Sequence, residues 1–178
     1  EDTLQKSSVL GMDILVNINI APTVKMGVNL SVDGKNRIDL QGGGELAYTM
    51  NTLGDSRFTG RYNLTGGFVR YNPPIISEKL FKIQDGSYVS WNGDIADPQM
   101  SITAVETVRT TISEEEKNTR QVNFDISIII KNSLENLSVS FDLSAPEDLT
   151  LQNQLTSLTA EQRASQAMSL LIYNTYTG

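Results

Sequence analysis

The sequence contains no cysteine and no histidine among its 178 residues. Without cysteine, the chain can form no disulfide bond and offer no thiolate nucleophile. Without either residue, it can build neither a Cys/His zinc site nor a histidine-based catalytic triad. Any chemistry within this chain therefore depends on carboxylates, hydroxyl groups and the backbone.

Long apolar runs and an excess of positive charge are also missing. No stretch reaches the roughly 18 consecutive apolar residues that a membrane-spanning helix needs. The 14 Lys and Arg are outnumbered by 21 Asp and Glu, and the net charge of −7 argues against binding to nucleic acid or to anionic lipid headgroups. At this length we expect one domain, residues 1–178. Because the first residue is Glu1 rather than Met, we expect that domain to be a segment of a longer protein.

The most prominent positive feature is a strict alternation of apolar and polar residues. From Leu10 to Val32 every even-numbered residue is apolar, whereas most odd-numbered residues are polar or glycine. Successive side chains of a β-strand point to opposite faces, so this period predicts strands with one apolar and one polar face. Pro22 cannot donate to a strand ladder and predicts a division into two strands near residues 21–23.

The same alternation recurs along most of the chain and predicts a long antiparallel sheet with strands over about residues 9–144. The further rows are Ile38–Met50, Phe58–Leu64, Met100–Val108, Val122–Ile130 and Leu137–Leu143. Gly42 and Gly44 fall in the apolar row, where they predict a gap, a bend or a bulge.

The last segment has a helical pattern. Thr159 and Gln162 have the spacing of a capping box, and apolar residues from Ala164 to Leu171 then fall on one helical face. We expect a helix over about residues 160–173. The predicted fold class is therefore all-β with one short C-terminal helix.

No group of residues has the pattern of an active site. The glycines at 42–44 lack the Lys-Ser/Thr that follows in a phosphate-binding loop, and the acidic run Glu114–Glu116 lacks the pattern of a calcium loop. Asp85, Asp94 and Asp97 lie in turn-like sequence beside or near Gly or Pro, which explains them without catalysis. We therefore expect a non-enzymatic protein with no cofactor and no metal site.

The apolar face then has two interpretations. Two sheets can pack face to face and fill the space between them. Alternatively, one open sheet forms a trough whose apolar lining holds an apolar ligand. Long strands, short polar turns and an aliphatic lining in a chain with 7% aromatic residues favour the trough without excluding the sandwich.

In the trough, the residues of the apolar rows would line a hydrophobic groove. The predicted groove residues are Met12, Ile14, Val16, Ile18, Met26, Val28, Leu30, Ile38, Leu40, Leu46, Tyr48, Met100, Ile102, Ile126, Ile128, Val139 and Phe141.

Two stretches in the middle of the chain have a more specific pattern. They are Phe81–Gly93 (FKIQDGSYVSWNG) and Asp97–Ala104 (DPQMSITA). Together with Val122–Ile130, Leu137–Pro146 and the C-terminal helix, they resemble the C-terminal region of the TamB family. The resemblance covers most of the chain. Its motifs are turn glycines, Asp-Pro and alternating aliphatic residues, so they indicate a family without marking a chemical site.

The resemblance implies a periplasmic segment of a protein anchored in the inner membrane of a Gram-negative bacterium. Its partner would be TamA, an outer-membrane barrel protein with which the family forms the translocation and assembly module. The family is implicated in assembling outer-membrane proteins and autotransporters. It is also placed among the AsmA-like bridge lipid transporters, whose hydrophobic groove is proposed to carry phospholipid to the outer membrane. The implied fold is a long sheet curled into a taco-like trough.

These expectations leave three functional hypotheses. The first is a hydrophobic conduit in which the groove shields phospholipid acyl chains. The second is a chaperone-like platform that holds unfolded strands of outer-membrane proteins. The third is a structural spacer with a closed core.

Overall fold

The computed structural model describes residues 11–114 and 118–178. Eight antiparallel strands occupy most of the described chain, and two helices follow them. The strands are β1 (Ile14–Asn29), β2 (Arg37–Met50), β3 (Ser56–Tyr71), β4 (Lys79–Ile83), β5 (Tyr88–Gly93), β6 (Gln99–Glu114), β7 (Asn118–Ser133) and β8 (Ser138–Ser144). The helices are α1 (Leu149–Ser157) and α2 (Ala160–Tyr173), and a short 3-10 helix spans Leu134–Asn136. Leu10, where the alternating run begins, and Glu115 and Glu116 of the acidic run lie outside the described residues.

All strands belong to one sheet with the order β1-β2-β3-β4-β6-β7-β8, and β5 pairs with β3 and β6. β4 and β5 share one position in it, because both pair with β3 on one side and with β6 on the other. The chain between them keeps contact with both neighbouring strands: Gln84 N–H donates to Thr103 O at 2.8 Å, and Leu64 N–H donates to Ser87 O at 2.9 Å. The predicted antiparallel sheet is confirmed, and the two-sheet sandwich is wrong.

The sheet is strongly curled. Tyr71 on β3 and Phe141 on β8 are four strand positions apart, yet their ring centroids are 5.3 Å apart. In a flat sheet with roughly 4.8 Å between strands, the same two positions would be about 19 Å apart. The sheet therefore folds over itself as a trough, and β3 and β8 meet across its interior.

The alternating residues explain which face lies inside. Residues paired across antiparallel strands share a face, so the ladder pairs Val28 with Ile38 and Ile38 with Val69 on the interior face. On β6 and β7 the interior residues include Ile102, Ile126 and the other fully buried isoleucines of the core.

Pro22 interrupts pairing without ending the strand. β1 runs unbroken from Ile14 to Asn29, and only its ladder with β2 is irregular, between Ile20 and Val24. The prediction of two strands is therefore wrong, because extended backbone tolerates the missing N–H at this point. Thr65 Oγ1 donates to Pro22 O at 3.2 Å and satisfies one acceptor of the irregular segment.

The glycine prediction is confirmed as a bulge. The register between β2 and β3 shifts between Gln41 and Gly42. A Cβ atom on Gly42 would lie 2.0 Å from the backbone oxygen of Asn63, so only glycine permits this close approach between the two strands.

The C-terminal helix has the predicted bounds. Gln162 N–H donates to Thr159 Oγ1, and Thr159 N–H donates to Gln162 Oε1, which completes the capping box. Helix α1 was not predicted, although Asp148 accepts a hydrogen bond from Leu151 N–H as its N-cap. Neither helix in the described residues is long and apolar enough to cross a membrane.

Candidate apolar groove

The predicted groove residues that lie in strands share one face of the curled sheet, while Met12 and Leu30 flank β1, and the set differs in its exposure to water. Seven are buried: Ile38, Leu40, Leu46, Met100, Ile102, Ile126 and Ile128. Five are half-buried: Ile14, Val28, Leu30, Tyr48 and Phe141. Five are exposed: Met12, Val16, Ile18, Met26 and Val139.

The exposed members concentrate on β1. Val16, Ile18, Val24 and Met26 have 45%, 37%, 40% and 38% of their surface exposed, and all lie on the interior face by their even numbers. We call these four side chains the β1 row. Val24 was absent from the predicted lining, although its place in the alternation was a sufficient signal for it.

The position of β1 in the sheet explains this exposure. β1 is an edge strand that pairs with β2, and no strand in the described residues pairs with its other side. Its interior side chains therefore have sheet neighbours on one side only, whereas those of β2, β3, β6 and β7 have neighbours on both. The result is that the apolar row of β1 faces solvent, whereas Ile38, Leu40 and Leu46 of β2 are buried.

Further along the sheet, aromatic rings close the interior. The rings of Tyr71, Phe81 and Phe141 lie within 6.4 Å of one another by their centroids. Burial raises the pKa of Tyr71 above its usual value. We call this cluster the aromatic closure, because it joins β3 and β4 to β8 across the trough.

The helices cover the interior at the end of the sheet where β8 ends. Leu151 and Leu155 of α1 and Leu170 and Leu171 of α2 belong to the same buried cluster as the interior residues of β6 and β7. Asp148, which caps α1, forms an ion pair with Arg120 of β7. The helices thus fill part of the trough that the sequence predicted to be open.

One charged residue interrupts the interior row of β6. The register places Glu106 opposite Ile126 of β7, between Ala104 and Val108 in the row. Its Oε2 atom is inaccessible and accepts no hydrogen bond. Burial raises the pKa of Glu106, and the positive charge of Lys79 partly opposes that increase.

The outer face of the sheet is mostly polar, as the alternation predicted, although Leu15, Phe68 and Leu80 are exposed on it. On β2 and β3, Asp39 accepts hydrogen bonds from Arg37 Nε at 2.7 Å and from Arg70 Nε at 3.1 Å. The Arg37 hydrogen bond is the largest cause of the lowered pKa of Asp39. The described residues contain no group of three carboxylates placed to hold a metal ion. The feature of this molecule that most resembles a binding surface is therefore its apolar face.

Comparison with known proteins gives one match. The sequence model of the TamB C-terminal domain matches residues 2–178, essentially the whole chain. No curated protein and no solved structure matches the chain.

Proposed function

The chain belongs to the TamB family, and from this premise we propose that it is a non-enzymatic segment of a hydrophobic conduit for phospholipid acyl chains. The family is a bacterial envelope family with a role in the translocation and assembly module and in outer-membrane biogenesis. Within that role, this segment lies in the periplasm as part of a protein anchored in the inner membrane. The conduit works together with TamA and delivers phospholipid to the outer membrane.

The β1 row is the observation that carries the proposal. Two pairs of side chains on one face of an edge strand, Val16 with Ile18 and Val24 with Met26, are about 40% exposed, although the same face is fully buried in the middle of the sheet. Contiguous exposed apolar surface on a folded protein usually marks a surface that meets an apolar partner. The outer face of the same strand is mostly polar, with Asn19 and Lys25, although Leu15 is exposed there.

The chemistry of the lining suits acyl chains that slide. Burying each methylene is worth about 0.8 kcal/mol wherever it contacts aliphatic surface. Val16, Ile18 and Met26 offer such surface without a hydrogen-bonding group that would hold the ligand at one place. Affinity therefore depends on contact area, and neighbouring positions along the row are nearly equal in energy.

A second candidate function is supported by the free edge of β1. In the described residues its 16-residue length pairs with β2 alone, and a free edge can accept an added strand. This edge supports the chaperone-like platform, in which an unfolded strand of an outer-membrane protein pairs with β1. The third hypothesis, a structural spacer with a closed core, is supported only by the buried interior of the sheet.

Two adjacent residues of β1 provide the test. Ile18→Arg places a charge in the β1 row, whereas Asn19→Arg places it on the outer face of the same strand. Because both side chains are exposed, we expect each variant to change the free energy of unfolding by less than about 0.5 kcal/mol. In the full-length protein, Ile18→Arg should abolish delivery of pulse-labelled phospholipid to the outer membrane, and Asn19→Arg should leave it unchanged.

Equal delivery by the two variants would contradict the conduit. Loss of delivery in both variants, with folding retained, would also contradict it, because the effect would then depend on the edge rather than on the apolar face. Thermal unfolding of each variant verifies that neither result comes from a loss of folding.

A further inference from the structure

Positive charge is concentrated on the outer face of strands β1 to β4. The ladders place six of the 14 Lys and Arg of the chain on this face, but only two of its 21 Asp and Glu. The whole chain, by contrast, has a net charge of −7. We call this surface the basic face; its cations are Lys25, Arg37, Arg57, Arg61, Arg70 and Lys82, and its acids are Asp39 and Glu45.

Most of these cations are available to a partner. Asp39 forms ion pairs with Arg37 and Arg70, both of which keep more than a third of their side chain exposed. The other four cations are exposed and form no ion pair within the part of the chain that the structure describes: Lys25, Arg57, Arg61 and Lys82. The basic face therefore presents a net positive charge to solvent.

Two apolar side chains stand among the cations. Phe68 of β3 pairs with Lys82 of β4, and Leu80 of β4 pairs with Arg70 of β3. Phe68 and Leu80 have 46% and 44% of their surface exposed. Apolar and aromatic side chains beside long basic ones are typical of surfaces that enter the headgroup region of a bilayer.

Two more apolar side chains lie on the loops at one end of this face. Val32, in the loop between β1 and β2, is fully exposed, and Ile75, in the loop between β3 and β4, is 76% exposed. The backbone N–H of Asn72 donates to Asn36 Oδ1 at 2.8 Å, which holds the two loops side by side. We call Val32 and Ile75 the apolar tips.

Both loops are held by contacts of their own. Ile76, beside the second tip, is buried, and its N–H donates to Pro73 O at 3.1 Å. In the first loop, Leu30 N–H donates to Asn36 O at 2.7 Å. Because the loops are already ordered, binding through the tips would cost little conformational entropy.

The combination of charge and tips fits a lipid surface better than an acidic protein. Positive charge attracts both kinds of partner. A protein, however, would need a matching pocket for each protruding tip, whereas a bilayer takes up aliphatic side chains at any point of its surface.

From this placement we propose that the basic face and the apolar tips dock on a bilayer surface that contains anionic phospholipid. Val32 and Ile75 enter the headgroup region, and the neighbouring Lys and Arg side chains contact lipid phosphates. The acidic remainder of the chain does not prevent this contact, because at about 0.15 M salt charges more than about 8 Å away are largely screened. The β1 row lies on the opposite face, so docking does not depend on the cargo of the groove.

Binding of the 178-residue chain to vesicles tests the proposal by flotation. One vesicle preparation contains equal amounts of phosphatidylglycerol and phosphatidylcholine, and the other contains phosphatidylcholine alone. We expect binding to the anionic vesicles to be at least about tenfold stronger, since each basic side chain near an anionic surface contributes about 1 kcal/mol. Added salt should weaken it.

Two lysines of the outer face separate local charge from total charge. Lys82→Gln removes a cation of the basic face, whereas Lys131→Gln removes an exposed cation from the outer face of β7. We expect Lys82→Gln to weaken binding to the anionic vesicles about fivefold. Lys131→Gln should weaken it by less than about twofold.

Two isoleucines at opposite ends of the sheet test the tips. Ile75→Ser removes one tip, whereas Ile95→Ser removes a 64% exposed side chain from the loop between β5 and β6. We expect Ile75→Ser to weaken binding about tenfold and Ile95→Ser to leave it unchanged. Thermal unfolding of each variant verifies that it is folded.

Three results would overturn the proposal. The first is a failure to prefer anionic vesicles. The second is an equal effect of the two variants in either pair, with folding retained, because binding would then not involve this face and these tips. The third is binding to soluble poly-glutamate that Lys82→Gln weakens, without binding to vesicles, which would assign the basic face to an acidic protein.

Discussion

At the scale of single residues, Glu106 is the position that the rest of the structure explains least well. Glu106 occupies an interior position of β6, between Ala104 and Val108, where the alternation calls for an aliphatic residue. Burial of its carboxyl group disfavours the charged form, while Lys79 is the only nearby charge that offsets this effect in the described residues. Glu106 therefore lowers the stability of the folded protein at neutral pH, and it links stability to pH.

Replacing the carboxyl group of Glu106 should stabilise the protein at neutral pH. The raised pKa means that the folded protein holds the Glu106 proton more tightly than the unfolded chain does, so its contribution to stability is lost as pH rises from about 4.3 through the raised value. We expect Glu106→Gln to increase the free energy of unfolding at pH 7 by about 1 kcal/mol, a small gain because the carboxyl is partly screened by water. The gain should shrink toward zero near pH 4.

Urea unfolding across that pH range measures the effect. Glu135→Gln is the matched control, because Glu135 is exposed and its replacement should change stability little. A Glu106→Gln variant that is destabilised at pH 7 would show that the carboxylate has a stabilising partner in the folded state.

At the scale of secondary-structure elements, the apolar–polar alternation predicted correctly which face of each strand points to the interior. It predicted less well where strands begin and end. The alternation from Leu10 to Val32 predicted the interior face of β1, but Pro22 suggested a break where the strand is in fact continuous. Helix α2 was predictable because Thr159 and Gln162 form a local capping box. Helix α1 was missed because it is only nine residues long and has few apolar residues on its buried face.

The bulge between β2 and β3, where Thr65 is the extra residue, is an element-scale feature with a measurable cost. We expect Gly42→Ala to reduce the free energy of unfolding by about 3 kcal/mol, because its Cβ would lie 2.0 Å from the oxygen of Asn63 and the two strands must separate. Gly66→Ala is the matched control on the adjacent strand, where the nearest atom to a Cβ is 3.8 Å away, at the end of the Gln41 side chain.

Chemical unfolding of the two glycine variants gives both values under the same conditions. The Gly66→Ala variant should stay within about 0.5 kcal/mol of the original protein. Similar losses in both variants would mean that backbone freedom, rather than the close approach at Gly42, determines the need for glycine in this bulge.

At the scale of the whole molecule, the curl of the sheet decides which part of the apolar face is available to a ligand. The alternation places Ile18 on β1 and Ile102 on β6 on the same face, yet Ile18 is exposed and Ile102 is fully buried. The sequence shows whether a residue lies at an odd or an even position, and therefore on which face of its strand it lies. It does not show how many strands lie beside that strand, which determines whether the side chain is buried. Which predicted groove residues contact one another and which meet solvent therefore followed only from the edge position of β1, the aromatic closure and the helices.

The central claim, that the β1 row contacts phospholipid, is tested most directly by site-specific photo-crosslinking in the full-length protein in cells. A benzophenone side chain is placed at Val16, Ile18 or Met26 in the row, and at Asn19 or Lys25 on the outer face of the same strand as controls. After irradiation, mass spectrometry identifies the captured molecule. We expect phospholipid adducts at the three row positions and none at the two controls. Capture of polypeptide alone from the row, or equal capture of lipid from both faces, would contradict it.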